Sequence, residues 1–321
     1  MVGFQSFCIS WMENQIVGWR VAEVQRILAR QLEKLSAVPE LPGYFYWMAS
    51  SIFFVVIACF LTVFVAPAAM GSGVAEVMGL LNGIHIDKAI GIYTLIVKIF
   101  GTLFGICAGL CIGKEGPLVH IGAIIGVCAI YLPFDYNKVL QNDVHRRYMI
   151  AAGAACGISC AFGAPIGGAL FVYEISMPNT FWNFQMLWRV FLATCTAVFT
   201  FSILYSMSIG APLSMSDGAA LKFGDVTQIG QNSILDLPAA IILGTVGGVL
   251  GALFVQFTVW NAVWRKKYIN TDLRKVLECV AVAVITASAF YGVVYFRRGQ
   301  CRPVDYSTNF EYVVQWTCPT G

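Results

Sequence analysis

Long runs of apolar residues, separated by short polar stretches, extend along the whole chain. A membrane-spanning helix needs about 20 apolar residues in succession. Runs of about that length predict transmembrane helices at 44–66, 92–112, 184–207, 237–260 and 276–296. The pattern therefore indicates an all-α integral membrane protein.

Other apolar stretches are shorter and are interrupted by glycine or proline. They lie at 74–82, 117–132, 147–162 and 165–177. Irregular backbone at membrane depth is tolerated only where it faces protein or a water-filled cavity, because lipid cannot bond the freed N–H and C=O groups. We therefore predict that these interruptions line a pathway.

Regularly spaced glycines in two segments predict close contacts between helices. Gly101, Gly105, Gly109 and Gly113 recur every four residues, which would place them on one helix face, and four more glycines lie within 244–254. Small residues at such spacing let two helix backbones approach each other. This pattern implies packing and no chemistry.

Composition narrows the classes of function. Hydrophobic residues make up 58% of the 321 residues and charged residues 12%, whereas soluble domains carry about 25% charged residues. The net charge of +3 is small and scattered, which argues against nucleic-acid binding. The sequence has no motif of a hydrolase, a zinc protease or a phosphate-binding loop, so we predict that the protein is not an enzyme.

Metal-binding patterns are also missing from the sequence, and no cofactor is predicted. The cysteines within the apolar stretches follow no C-x-x-C or Cys/His spacing. His120 stands alone on an apolar helix, where a histidine is more typically a packing residue. We assign it no role from the sequence.

Three short stretches share one design, a flexible backbone followed at once by an apolar helix. They read "GSGVAE" (71–76), "GKEGP" (113–117) and "GAPIGGALFVYE" (163–174). Glycine lets the backbone turn, and proline is tolerated in the first turn of a helix. Each new helix presents unpaired N–H groups and the positive end of its dipole, so converging helix starts would bind an anion.

Glu115 lies at the second of these helix starts. Its carboxylate can occupy the position of a bound anion and so act as a tethered competitor. Protonation or displacement of the carboxylate would leave the site to a free anion, which provides both a gate and a sensitivity to pH. The alternative is that Glu115 only caps its helix.

The same three stretches resemble the signatures of the first half of the CLC family of chloride channels and chloride/proton exchangers. The likeness runs from about Trp11 to Arg298, in the order and spacing of the family. It implies a bundle of full and broken membrane helices built from two inverted repeats. We expect the first repeat at 1–235, the opening helices of the second at 236–298, and an extracytoplasmic or luminal tail at 299–321, where the chain is truncated.

The resemblance implies roles for residues of the first two stretches. Ser72 would contact the central anion with its hydroxyl, and Glu115 would be the gate. The backbone around Gly73 and the helix start at Gly116 and Pro117 would supply N–H donors to the anion.

Two further positions, one in each of these stretches, bear on the anion site. Lys114 would support the anion electrostatically, although a snorkelling or ion-paired lysine is the alternative. Ala75 stands where the first signature of the family usually has proline, while the serine before it is retained.

Ile175 bears on the choice between channel and exchanger. Exchangers of this family generally carry two consecutive glutamates here, the second of which relays protons, whereas this chain has Glu174 followed by Ile175. Glu174 is interpreted as structural. We therefore expect a passive, voltage- or pH-gated chloride channel; the alternatives are a coupled chloride/proton antiporter and a truncated, non-conducting subunit that assembles with full-length relatives.

The resemblance also implies partners and a location. Chloride or another small anion would be the transported ligand, and the chain would lie in the lipid bilayer as a homodimer or together with a full-length relative. The wording of the motifs is closest to the intracellular branch of the family, which favours an endosomal, lysosomal or vacuolar membrane over the plasma membrane.

Cys301 and Cys318 lie in the polar tail and are candidates for a disulfide. The basic loop at 264–275 should be cytoplasmic by the positive-inside rule. The helix at 276–296 would then carry the tail to the opposite side, where cysteines can oxidise.

Overall fold

The computed structural model describes residues 1–33, 41–132, 141–176, 182–210 and 237–296. The α-helices in these ranges are, in chain order, α1 (Val2–Glu33), α2 (Leu41–Phe60), α3 (Val74–Leu81), α4 (Ile92–Cys107), α5 (Glu115–Ile130), α6 (Asp143–Phe162), α7 (Pro165–Ile175), α8 (Phe184–Ile209), α9 (Leu237–Tyr268) and α10 (Asp272–Phe296). A π-helical turn and a 3₁₀ turn follow α2, and the described residues contain no strand.

Four segments among the described residues are long and apolar enough to cross a membrane. They are Leu41–Val65, Phe184–Ser208, Leu237–Tyr268 and Asp272–Val293. These match four of the five predicted spans.

The fifth predicted span, 92–112, is wrong in length, because α4 ends at Cys107. Gly109 adopts a left-handed φ of +81°, a conformation that commonly terminates helices. The predicted glycine stripe is therefore wrong beyond its first two members, Gly101 and Gly105, which alone lie in α4. Gly113 lies outside the helix, immediately before the start of α5.

The interrupted apolar stretches form short helices whose ends follow from local chemistry. Gly73, with a φ of +87°, precedes α3, and Asn142 accepts a hydrogen bond from the N–H of Val144 at the start of α6. Gly163, with a φ of +66°, ends α6, and Pro165 opens α7 two residues later. Proline suits this first position because its missing N–H is not needed there.

Helices α5 and α6 pack backbone against backbone in the core. A Cβ added to Gly122 would overlap the carbonyl of Gly153, and a Cβ on Gly153 would overlap the carbonyl of Gly122. Gly157 lies in the same way against the carbonyl of Leu118. The closeness of these helices depends on glycines that the sequence spacing had not singled out.

Arg20 joins α1 to α2 and to the end of α4. Its side chain is buried, donates to the carbonyl oxygen of Cys107, and lies 2.8 Å from the hydroxyl oxygens of both Ser50 and Ser51. The guanidinium also lies 3.8 Å from the ring centroid of Trp47. A buried arginine is tolerated here because its donors find acceptors.

The chain divides into two compact units, one of Met1–Lys222 with Cys279–Gly321 and one of Phe223–Glu278. In the second unit every residue of α9 is exposed. The predicted basic loop at 264–275 is largely helical. Arg265, Lys266 and Lys267 lie in the last turn of α9, where cations complement the helix dipole, and Arg274 and Lys275 lie in α10. Arg265 there lies 2.6 Å from the carboxylate of Glu278.

The repeat boundaries proposed from the sequence stay predictions. Cys301 and Cys318 fall outside the described residues, so the disulfide between them also stays a prediction.

Candidate anion site

The loop before α3 is bent by two glycines and stabilised by a serine. Gly71 and Gly73 have φ values of +72° and +87°. Between them, the Ser72 hydroxyl oxygen lies 3.4 Å from the Val74 nitrogen and accepts its N–H. Ser72 is exposed, at the start of a helix whose first N–H groups have no partner within the helix.

This loop meets the start of α5. A Cβ built on Gly116 would lie only 2.7 Å from the Cβ of Ser72, so glycine is needed for the two segments to approach. The structure thus brings together Ser72, Gly73, Gly116 and Pro117, which come from two separate motifs. Two helix starts converge here, which is the arrangement expected of an anion site.

Glu115 is the first residue of α5. The first backbone bond of this helix runs from the N–H of Leu118 to the carbonyl of Lys114, so the N–H groups of Glu115 and Gly116 precede the bonded part of the helix. The carboxylate folds back over Gly113, where an added Cβ would overlap its Oε2. Its role as a gate stays a prediction.

Lys114 is ion-paired. Its Nζ lies 2.8 Å from a carboxylate oxygen of Glu13 on α1, and the two side chains are 12% and 17% exposed. This is the paired alternative that the sequence left open. Because the two charges partly cancel at a distance, Lys114 adds less positive potential than a lone ammonium would, and its electrostatic support of an anion stays a prediction.

Lys98 is a residue near this site that the sequence analysis missed. It is 2% exposed, and its Nζ lies 2.8 Å from the carbonyl oxygen of Gly71 and 3.1 Å from that of Ala69. The ammonium therefore fixes the backbone immediately before Ser72 by donating hydrogen bonds to two of its carbonyl groups. The sequence could have indicated Lys98, because it is a lysine within the apolar helix α4 and a charge at membrane depth needs a partner or a function.

His120 lies directly behind the same loop. A Cβ built on Gly73 would overlap the imidazole ring, and the Nε2 atom lies 2.9 Å from the carbonyl oxygen of Ala89. The ring is fully buried. From sequence alone, His120 is predicted to be a packing residue. Its contact with the loop of residues 71–73, which we call the anion loop, is visible only in the tertiary structure.

The third stretch forms the start and body of α7, which packs against α6 and α8. A Cβ on Gly168 would overlap the Ser159 hydroxyl, so this helix also approaches α6 closely. At the other end of α7, Glu174 is exposed and Ile175 packs against the apolar core. In the described part of the chain, no three His, Cys, Asp or Glu side chains come together as a possible metal site.

Comparison with protein families supports the architecture. Residues 54–308 match the family model described as "Voltage gated chloride channel".

Several curated relatives extend this similarity. The H(+)/Cl(-) exchange transporter 7 of Bos taurus is 32% identical over 283 residues, which cover 86% of this chain and 34% of the relative. Chloride channel protein A of Dictyostelium discoideum is 36% identical over 258 residues, covering 78% of this chain and 29% of the relative. The chain thus spans about a third of the length of such relatives.

Solved structures show the same fold. A slow cyanobacterial Cl⁻/H⁺ antiporter superposes with a TM-score of 0.63 at 20% identity, covering 89% of this chain and 63% of that one. A eukaryotic CLC transporter gives a TM-score of 0.63 at 23% identity, covering 91% and 51%. The predicted all-α membrane fold of CLC type is confirmed.

Proposed function

Because the chain belongs to the voltage-gated chloride channel (CLC) family, we propose that it forms part of a pathway that carries chloride across a membrane. The observation that carries this proposal is the contact of Ser72 with Gly116, which joins the two helix starts of α3 and α5. Partial positive charges from backbone N–H groups suit a transported anion, since binding must be weak enough for release.

The proposed transport is exchange of chloride for protons. Ile175 alone favours a passive channel, whereas relatives that match most of this chain are named H(+)/Cl(-) exchange transporters, which favours the coupled alternative. Ile175 lacks a titratable group, but another buried side chain can hold the proton in its place.

Glu115 is the proposed gate of this pathway. While it is ionised, its carboxylate competes with chloride for the unpaired N–H groups of Glu115 itself and Gly116. Protonation removes the negative charge, so chloride can then accept hydrogen bonds from these groups and from the Ser72 hydroxyl. A falling pH on the side that reaches Glu115 therefore opens the pathway.

Reversal potentials of the complete transporter in liposomes test the exchange. With a chloride gradient held constant, an imposed proton gradient should displace the reversal potential in a fixed ratio. A reversal potential that follows chloride alone would show a passive channel, and a folded, inserted protein without chloride flux would contradict the proposal altogether.

The variant Glu115→Ala tests the gate. It removes the competing carboxylate and keeps the helix start, so chloride flux should persist while its response to pH is lost. The matched control is Glu174→Ala, at an exposed glutamate at the end of α7, which should keep the pH response. If the pH response were lost in Glu174→Ala and kept in Glu115→Ala, Glu115 would not be the gate.

The proposed location is an endosomal, lysosomal or vacuolar membrane, and the proposed assembly contains two copies. Fluorescent tagging of the expressed protein tests the location, and cross-linking in native membranes tests the assembly. Labelling confined to the plasma membrane would contradict the proposed location. Recovery of a single copy after cross-linking would contradict the proposed assembly.

A further inference from the structure

The imidazole of His120 has one nitrogen engaged and one free. Nε2 lies 2.9 Å from the carbonyl oxygen of Ala89, and since a carbonyl only accepts, Nε2 carries the hydrogen. The Nδ1 atom is buried without a hydrogen-bond partner among the described residues. A proton can therefore join or leave the ring at Nδ1 while the bond to Ala89 is kept.

The edge of the ring that carries the free nitrogen lies against the anion loop. A Cβ built on Gly73 would overlap Nδ1 itself, so the absence of a side chain at this position leaves the ring against the loop backbone. Ser72, which precedes Gly73, lies against Gly116 at the start of α5. A positive charge gained at Nδ1 would arise one residue away from the proposed anion ligand.

Charged groups face the imidazole from two of the helices packed against α5. Glu76 on α3 and Lys98 on α4 both act on His120 electrostatically. Lys98 repels a protonated ring and Glu76 attracts it, and the effect of Lys98 is the larger of the two. Glu13 on α1 is paired with Lys114, immediately before the start of α5. Helix α6 presents glycine and apolar residues to α5.

We propose that His120 is a proton-binding residue whose protonation is linked to anion binding at the loop of residues 71–73. The proposal rests on the proposed transport of chloride and deepens it. A protonated imidazole beside Gly73 attracts the anion, and by thermodynamic linkage a bound anion favours the protonated imidazole by the same factor. The proton moves onto Nδ1 and off again, and no covalent bond to the anion forms.

This linkage would supply a proton-holding group in a chain whose Ile175 cannot take up a proton. Histidine is suited to this because its charge changes near neutral pH. The residue acts on the anion through the loop, so it is a positioning and charge-setting residue without direct contact.

The first test follows the imidazole in the unmodified protein. Histidine labelled with ¹⁵N in the complete transporter, in lipid nanodiscs, reports protonation of Nδ1 by NMR. At fixed pH, exchange of gluconate for chloride should increase the protonated fraction of His120 and leave that of the exposed His85 unchanged. A His120 signal that ignores chloride across the titration would overturn the proposal, whether or not any variant folds.

The second test measures chloride affinity by calorimetry in a Glu115→Gln background, which removes the pH dependence of the proposed gate. Affinity should rise about tenfold as the pH falls from about 8 to about 5. Adding His120→Gln, whose amide can still donate to the carbonyl of Ala89, should abolish this rise. Adding His85→Gln instead should preserve it.

The outcomes separate this inference from the proposed function. Chloride binding with the same pH dependence in the His120→Gln variant would overturn the inference and leave the transport proposal standing. Absence of chloride binding at every pH would overturn both.

Discussion

Helix α9 and the pair α5–α6 have similar compositions and opposite surroundings. Both regions are apolar and rich in glycine. In α5 and α6, Gly122 and Gly153 lie against each other's backbone, and a Cβ would have no room at either. In α9, a Cβ at Gly244, Gly247 or Gly248 meets nothing within 4 Å in the described part of the chain.

Glycine spacing therefore indicates that a helix is able to pack closely, but it does not show where close packing occurs. The spacing at 244–254 predicted a packed face, whereas in the described residues the glycines packed against another helix backbone lie mainly in α5 and α6, together with Gly3 of α1 and Gly168 of α7. A glycine contributes to close packing only where another backbone crosses it, and that crossing depends on the path of the whole chain. Matched substitutions in the two regions can therefore test this contrast.

The largest effect is expected for alanine at a crossing glycine. Gly153→Ala places a Cβ against the carbonyl of Gly122, and overpacking of this kind costs about 3 kcal/mol of unfolding free energy. The matched change Gly248→Ala meets open space and should be neutral or stabilising by up to about 1 kcal/mol, through helix propensity. Thermal unfolding in detergent measures both; equal stabilities would show that the α5–α6 contact is not tight.

A smaller loss is expected at a buried arginine. Arg20→Met leaves the Cys107 carbonyl and the Ser51 hydroxyl without their donor, at a cost of about 2 kcal/mol of unfolding free energy. Arg265→Met, at the exposed pair with Glu278 in the second unit, should cost less than about 1 kcal/mol. The same unfolding assay compares them, and a larger loss at Arg265 would reverse the contrast between the two units.

Removal of the charge at Lys98 should weaken anion binding. Lys98→Met takes away an ammonium that donates to Gly71 and Ala69 beside the anion loop, so chloride affinity should fall about tenfold, or about 1.4 kcal/mol. The control Lys275→Met removes a half-buried lysine paired with Asp272. Calorimetric titration with chloride gives the affinities, and an unchanged affinity in Lys98→Met would limit this residue to a structural role.

The smallest effect is expected where the chain departs from its family pattern. Ala75 lies in the first turn of α3, where proline removes no helical hydrogen bond, so Ala75→Pro should change the unfolding free energy by less than about 1 kcal/mol. The same substitution at Ala252, within α9, removes an internal bond and should cost about 3 kcal/mol. A large loss from Ala75→Pro would mean that its N–H has a structural partner.

Local sequence was sufficient to predict the broken helices and their starts. Gly73, Pro117 and Pro165 act on their own backbone and on the next few residues, so their effects can be recognised without the fold. The end of α4 could not be predicted from apolar composition, because Gly109 terminates a helix that composition alone would continue. The same locality made it possible to predict that all three motifs lead directly into helices, while their binding of an anion stays a prediction.

The partners of buried charges could not be predicted, because they are distant in the chain. Lys114 pairs with Glu13 across 101 residues, and Arg20 donates to the carbonyl of Cys107 across 87 residues. No periodicity identifies such pairs. For the same reason the burial of Lys98 behind the anion loop, and of His120 against Gly73, became visible only in three dimensions.

The membrane class, the helical architecture and the positions of the helix starts can be inferred from sequence, since these depend on hydrophobicity and on local backbone preferences. The contact of Ser72 with Gly116, and those of His120 and Lys98 with the loop of residues 71–73, are visible only in the folded chain. These contacts join elements whose positions are set by packing in the core, where backbones approach as closely as their glycines permit.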